Sequence, residues 1–147
     1  MNYQEKYLKY KNKYIQLQKQ LGGNELIIPE GTTSIDDHAF ENKKLRSIKI
    51  PNSVRSIGDH AFANNELTSI IIHDLVTLIS RYAFANNKLT SIKIPNSVTS
   101  IGDSAFKDNR ELKNVILPAK FIDDINRIFG KNASTISYID LMRVNFV

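Results

Sequence analysis

The chain has 147 residues, 41% of them apolar, which suits one domain with its own core. It holds no cysteine, so disulfides and thiolate metal sites are excluded, and no stretch is long and apolar enough to span a membrane. The net charge of +5 is unevenly placed: residues 1–23 carry five lysines and one glutamate, and the rest is close to neutral at +1. The body therefore gives no electrostatic reason to expect nucleic acid.

Residues 1–23 lack the apolar run of a secretory signal, so an intracellular location is expected. The segment reads as a basic amphipathic helix ended by Gly22-Gly23. Its apolar residues Tyr3, Tyr7, Tyr10, Tyr14, Leu17 and Leu21 follow spacings of 4, 3, 4, 3 and 4, a heptad seam that Leu8 and Ile15 widen. Such a stripe must face something. The candidates are the next part of the chain, which would make the helix a cap; a second copy of the helix, which would make a homo-oligomer; and an anionic surface, since lysines occupy the other faces. Tyrosine is a poor coiled-coil core residue and a good interface residue, so the first two stand together. Neither a membrane nor nucleic acid is the expected partner.

Residues 24–121 repeat. Ala61 to Ile70 reads AFANNELTSI and Ala83 to Ile92 reads AFANNKLTSI, identical in nine of ten letters. Four copies lie end to end over 33–54, 55–76, 77–98 and 99–121. The first three have 22 residues and the fourth gains one near Arg110. A half copy, ELIIPEGT at 25–32, precedes them. A fixed period of this size marks a solenoid, in which a unit cannot bury its apolar face alone and stacks on its neighbours.

The alignment gives the core columns. Phe40, Phe62, Phe84 and Phe106 form one, beside Ala39, Ala61, Ala83 and Ala105, which are small enough to let coils approach. Ile35, Ile57, Ile79 and Ile101 form another, and Leu45, Leu67, Leu89 and Leu112 a third. Ile48, Ile70, Ile92 and Val115 lie two residues before Ile50, Ile72, Ile94 and Leu117, so both columns point the same way from a strand. Val54, Val76, Val98 and Phe121 complete the set. Each copy is expected to supply one short strand (Ser-Ile-Lys-Ile in two copies), a proline stop and a short helical turn around Ala-Phe. The strands would stack into a parallel sheet. Asn64, Asn65, Asn86, Asn87 and Asn109 fall where the chain returns to the strand; asparagine tolerates left-handed backbone, and a stacked column could satisfy a buried turn.

Residues 122–147 break the repeat. Phe121, Ile122, Ile125, Ile128 and Phe129 have helical spacing before Gly130, and Ile136, Tyr138 and Ile139 to Met142 suggest a last strand. The expected role is a C-terminal cap, because a solenoid exposes its core at both ends. Asn132-Ala133-Ser134 matches a glycosylation sequon, read as coincidence in an intracellular chain.

The stretches IPNSVRSIGDHAF (50–62) and IPNSVTSIGDSAF (94–106), each followed by a polar turn, resemble leucine-rich repeats of the BspA-like type over residues 25–121. That family often has cysteine where this chain has Asn65, Asn87 and Asn109, and its turn is commonly one residue longer, as only the fourth copy is here. The resemblance implies a right-handed α/β solenoid used as a binding scaffold without catalysis. Many bacterial and protist members are secreted or surface adhesion proteins, a role for which residues 1–23 offer no export leader. The leader YLKYKNKYIQLQKQLGG is also similar to leaders on proteins of giant DNA viruses, which places a virus particle among the expected locations.

No nucleophile motif, phosphate loop or metal-spaced cluster is present in the sequence, so neither an enzyme nor a cofactor is expected. His38 and His60 share one repeat position and would be neighbours after stacking, where two imidazoles could share a metal, but Tyr82 and Ser104 hold the same position, so the column reads as polar and variable. Asp37, Asp59 and Asp103, interrupted by Arg81, read as surface or turn-capping residues.

Comparing copies isolates one anomaly, IIIHDLVTLISRYAF (70–84). Ile71 replaces Lys49 and Lys93, Leu75 replaces Ser53 and Ser97, Leu78 replaces Ser34, Ser56 and Ser100, and Tyr82 replaces His38, His60 and Ser104. His73 also replaces Pro51 and Pro95. Apolar residues at outward positions point to an interface with another protein, or to local repacking. Ile71 shares the outward strand face with Lys49, Lys93 and Ile116, the usual recognition surface of leucine-rich repeats. Protein binding there is the expected function, with homo-oligomerisation through the N-terminal helix as the alternative.

Overall fold

The computed structural model describes residues 24–140, so the expected N-terminal helix and its seam lie outside the described residues. Nine short strands occur among those residues: β1 Glu25–Ile27, β2 Ser34–Ile35, β3 Ser47–Lys49, β4 Ser56–Ile57, β5 Leu78–Ile79, β6 Ser91–Lys93, β7 Ser100–Ile101, β8 Asn114–Leu117 and β9 Ser137–Asp140. Every pairing is parallel and joins equivalent positions of neighbouring copies. One ladder runs β2-β4-β5-β7, a second joins β1 to β3, and a third runs β6-β8-β9.

Each copy was expected to hold one strand. Copies with a Ser-Ile-Lys strand hold two, because Ser34–Ile35 and its equivalents are extended as well. A two-residue strand is too short to show alternation in sequence. It forms because its isoleucine drops into the core and its backbone meets the same segment of the next coil. The Ser-Ile-Lys ladder is in turn interrupted at copy two, where residues 69–71 form no strand. In that copy His73 stands for Pro51 and Pro95, so the fixed φ that sets the strand's end elsewhere is not imposed.

The Ala-Phe segment is no helix either. His38, His60, Tyr82 and Ser104 take φ of 53–58°, and Asn42, Asn64, Asn86 and Asp108 take 53–59°. Left-handed residues four apart cannot sit in a right-handed helix. Alternate N–H groups instead donate to the next coil: His38 to Asp59 O at 2.8 Å, Phe40 to Ala61 O at 2.8 Å and Asn42 to Ala63 O at 3.1 Å. The same three bonds recur from His60, Phe62 and Asn64, and from Tyr82, Phe84 and Asn86. Three sides of each coil thus carry bonds to the next.

The apolar columns close one continuous core. Phe62, Phe84, Leu67, Leu89, Ile57 and Ile79 are fully buried. The phenylalanines stack along the axis with centroids 5.4, 5.3 and 5.5 Å apart from Phe40 to Phe106, a spacing set by the strand repeat.

After Pro118 the chain makes a 3-10 turn over Ala119–Asp124, then α1 Ile125–Phe129, and a second 3-10 turn over Gly130–Thr135. The α-helix is therefore shorter than the spacing from Phe121 suggested. Phe129 continues the ring column 5.6 Å from Phe106. Ser104 and Phe106 donate to Arg127 O and Ile128 O, so this segment accepts the bonds that a further coil would accept. Gly130 reverses the chain with φ of 66°, where a Cβ would come 3.0 Å from Lys107 Cγ. The expected last strand is present as β9, paired with β8.

Tyr138 packs edge-on against Phe129 at 5.6 Å. Its hydroxyl is buried without a hydrogen-bond partner among the described residues, and burial pushes the phenol up to about 12. Tyr138→Phe is expected to raise stability by about 1 kcal/mol, since an unsatisfied polar group leaves the core. The unfolded phenol ionises near pH 10 while the folded one keeps its proton to about pH 12, so the wild type loses stability as pH rises through that window. Urea titrations at pH 8 and pH 11 should show a smaller loss for the variant.

Candidate interaction surface

Side chains alternate across a strand, so the residue between two buried columns faces outward. In the Ser-Ile-Lys ladders the outward position is Ile27 opposite Lys49, and Lys93 opposite Ile116 opposite Ile139. Ile71 occupies it in copy two. Along the axis the row therefore reads Ile27, Lys49, Ile71, Lys93, Ile116, Ile139. Lys49 and Lys93 are exposed, Ile27 and Ile116 half-buried. Ile71 is 70% exposed and Ile139 40%. Comparison of copies found four of these; Ile27 and Ile139 lie in the half copy and the tail, where no full alignment reaches. The match of ELIIP (25–29) to SIKIP (47–51) is a sequence signal for Ile27; Ile139 has none in the repeat.

The other singled-out residues do not join that row. Leu75 is exposed in the turn that precedes β5, and Leu78 is exposed on β5 between Ser56 and Ser100. Leu78 borders a shallow groove with Ser34, Asp37, Ser56 and Ser80. Tyr82 is half-buried in a different column, with its ring 4.8 Å from the His60 ring and the Arg81 guanidinium 5.8 Å from its centroid. The apolar replacements of residues 71–82 are spread around the coil, and only Ile71 belongs to the outward row.

The polar columns have structural duties. Asp37 Oδ1 accepts from Asp59 N at 2.7 Å, and Asp59 Oδ1 from Arg81 N at 3.0 Å, so these carboxylates cap amides one coil on. Asp103 instead accepts from Arg127 Nη1 at 2.9 Å, and the same nitrogen donates to Ile101 O at 2.8 Å. Hydrogen bonds donated to Asp124 and Asp103 raise the Arg127 guanidinium above its usual range. Glu66 reaches Arg46 at 3.3 Å and Lys88 at 3.8 Å across three copies. These pairs are exposed and contribute little stability individually.

Buried Asn65, Asn87 and Asn109 form the inner column of the turn. Asn87 Oδ1 accepts from Leu67 N at 3.1 Å, while its Nδ2 donates to Phe62 O at 3.0 Å and Phe84 O at 3.1 Å. Asn65 and Asn109 repeat the pattern one coil either side. The outer asparagines form a second string, with Asn86 Nδ2 donating to Asn64 Oδ1 at 2.8 Å. The asparagines therefore hold the stack together, and they are not part of the exposed row.

The chain matches the BspA type leucine-rich repeat region, with six copies, over residues 18–141. Among curated proteins none matches significantly. A leucine-rich repeat protein from Bacteroides ovatus is similar at 37% identity over 65% of this chain and 25% of that one, with a TM-score of 0.60. A leucine-rich cell surface protein from Faecalibacterium prausnitzii is similar at 30% identity over 80% of this chain and 31% of that one, with a TM-score of 0.65. The chain thus spans about a quarter to a third of the length of these solved relatives. Such repeats are generally protein-interaction scaffolds, typically without enzymatic activity. Repeat period, parallel ladders and a family match over most of its length agree: the chain belongs to the BspA-type leucine-rich repeat family.

Proposed function

We propose that the chain is a non-catalytic scaffold that binds another protein through the outward strand row centred on Ile71. The observation that carries this is Ile71 itself, a large aliphatic side chain 70% exposed where the flanking copies have lysine. A soluble surface holds such a residue at a cost that contact with a partner removes. Lys49 and Lys93 on either side favour a partner that presents acidic groups around an apolar centre. The reading includes a right-handed winding, with residues 122–147 closing the C-terminal end; the bonds from Ser104 and Phe106 into α1 support that closure.

Ile71→Lys restores the residue of the neighbouring copies. It is expected to leave the melting temperature unchanged and to lose the proteins that photo-crosslink to a probe placed at the neighbouring Lys93. A lower melting temperature with the crosslinked set intact would mean that Ile71 serves packing.

The strict heptad spacing of Tyr3, Tyr7, Tyr10, Tyr14, Leu17 and Leu21 favours a second reading, a homo-oligomer joined through residues 1–23. Light-scattering mass separates the two. A full chain that is a dimer or larger, with a monomeric and folded variant lacking residues 1–23, supports assembly. A monomer that aggregates after the same truncation makes that segment a cover for the first coil.

A further inference from the structure

His38 and His60 hold one position in adjacent copies, both in left-handed backbone with φ of 56° and 53°. Matching backbone aims their side chains alike, and the imidazoles stack with centroids 4.9 Å apart and planes 9° apart. Both turn Nδ1 toward one carboxylate: His38 lies 2.7 Å from Glu41 Oε2, and His60 3.8 Å from Glu41 Oε1. Asn64 Nδ2 donates to the same Oε1 at 3.1 Å, which holds the carboxylate from a third side. One ligand atom from each of His38, Glu41 and His60 lies within 4.8 Å of the others. The repeat makes this coincidence informative. The column of Glu41 continues as Ala63, Ala85 and Lys107, and that of His38 and His60 as Tyr82 and Ser104. The carboxylate stands only where two imidazoles are neighbours.

We propose that His38, Glu41 and His60 bind a divalent transition metal of the zinc class and so bridge the first two copies. Two imidazoles with one carboxylate suit zinc and disfavour calcium or magnesium, which take oxygen ligands. Metal–ligand bonds of about 2.0–2.2 Å need ligand atoms about 3.3–3.5 Å apart. The separations here surround that value, and small side-chain rotations at the exposed His38 reach it. The Asn64 bond to Glu41 then orients a ligand from the outer shell. The half-exposed position leaves further coordination to solvent.

The test is calorimetric titration of zinc into the full chain, free of any histidine tag, at neutral pH. One equivalent is expected to saturate the protein. His60→Asn and Glu41→Gln should each weaken uptake at least about tenfold; asparagine tolerates the left-handed backbone, and Glu41→Gln leaves the backbone untouched. His73→Asn, which removes the remaining histidine of the three in the chain, should change nothing. Absence of saturable uptake, or uptake that survives the His38→Asn/His60→Asn double variant, overturns the proposal.

Discussion

Asn87→Ala is expected to lower stability by about 4 kcal/mol, more than an exposed asparagine in the same turn. Its amide satisfies Leu67 N, Phe62 O and Phe84 O, all inside the turn. Alanine cannot replace these bonds, and each buried group left without a partner costs about 1–3 kcal/mol. Water does not make up the loss, because Asn87 is only 5% exposed. Asn86, one residue earlier, is exposed, and its side-chain amide donates to Asn64. Asn86→Ala should cost about 1 kcal/mol, mainly for left-handed backbone. Asn87→Asp separates the two halves of the amide: it can still accept from Leu67 N but cannot donate to Phe62 O. Urea unfolding of the three variants checks the order. A near-neutral Asn87→Ala would mean that the turn relaxes to bond its own backbone.

Phe62→Ala should be as severe, at about 3–5 kcal/mol. Phe62 is fully buried, between Phe40 at 5.4 Å and Phe84 at 5.3 Å. The cavity cannot be refilled by one neighbour shifting, because Phe40, Phe62 and Phe84 are each held by a backbone bond to the next coil. Unfolding is expected to lose cooperativity as well, since stacked repeats communicate only through adjacent interfaces and this residue sits on two of them. Denaturation followed by tyrosine fluorescence and by circular dichroism should give separated midpoints. Coincident midpoints with a loss under 1 kcal/mol would show that the column packs loosely.

The period and the core columns were legible because the chain states them four times. A column such as Leu45, Leu67, Leu89 and Leu112 carries its own control. What was missed lies in pieces too short to have a period. Ser34–Ile35 and its equivalents are two residues long, and a ladder of such pairs is visible only once coils are stacked. The turn at His38, His60, Tyr82 and Ser104 was misread as helical because none of these residues announces a positive φ as glycine would. Glu41 escaped notice for a related reason: its column holds alanine and lysine elsewhere, and its closeness to His60 depends on how one coil lies over the next. The outward row was half legible. Lys49, Ile71, Lys93 and Ile116 came from comparing copies, whereas Ile139 needed the pairing of β9 with β8.

Hydrogen bonds between coils recur every 22 residues, as when Asp59 N donates to Asp37 and Arg81 N to Asp59. Donors and acceptors offered upward by one coil are thus those its successor offers in turn. Gain or loss of a whole coil leaves every column in register and lengthens or shortens the molecule by about 4.8 Å, the spacing of paired strands. A single added residue lacks that freedom; the one near Arg110 fits because it falls in the turn between Asn109 and Leu112, ahead of β8. Genetic duplication in units of 22 therefore acts as a length dial, setting how far the molecule reaches along whatever it touches while asking nothing new of its interior.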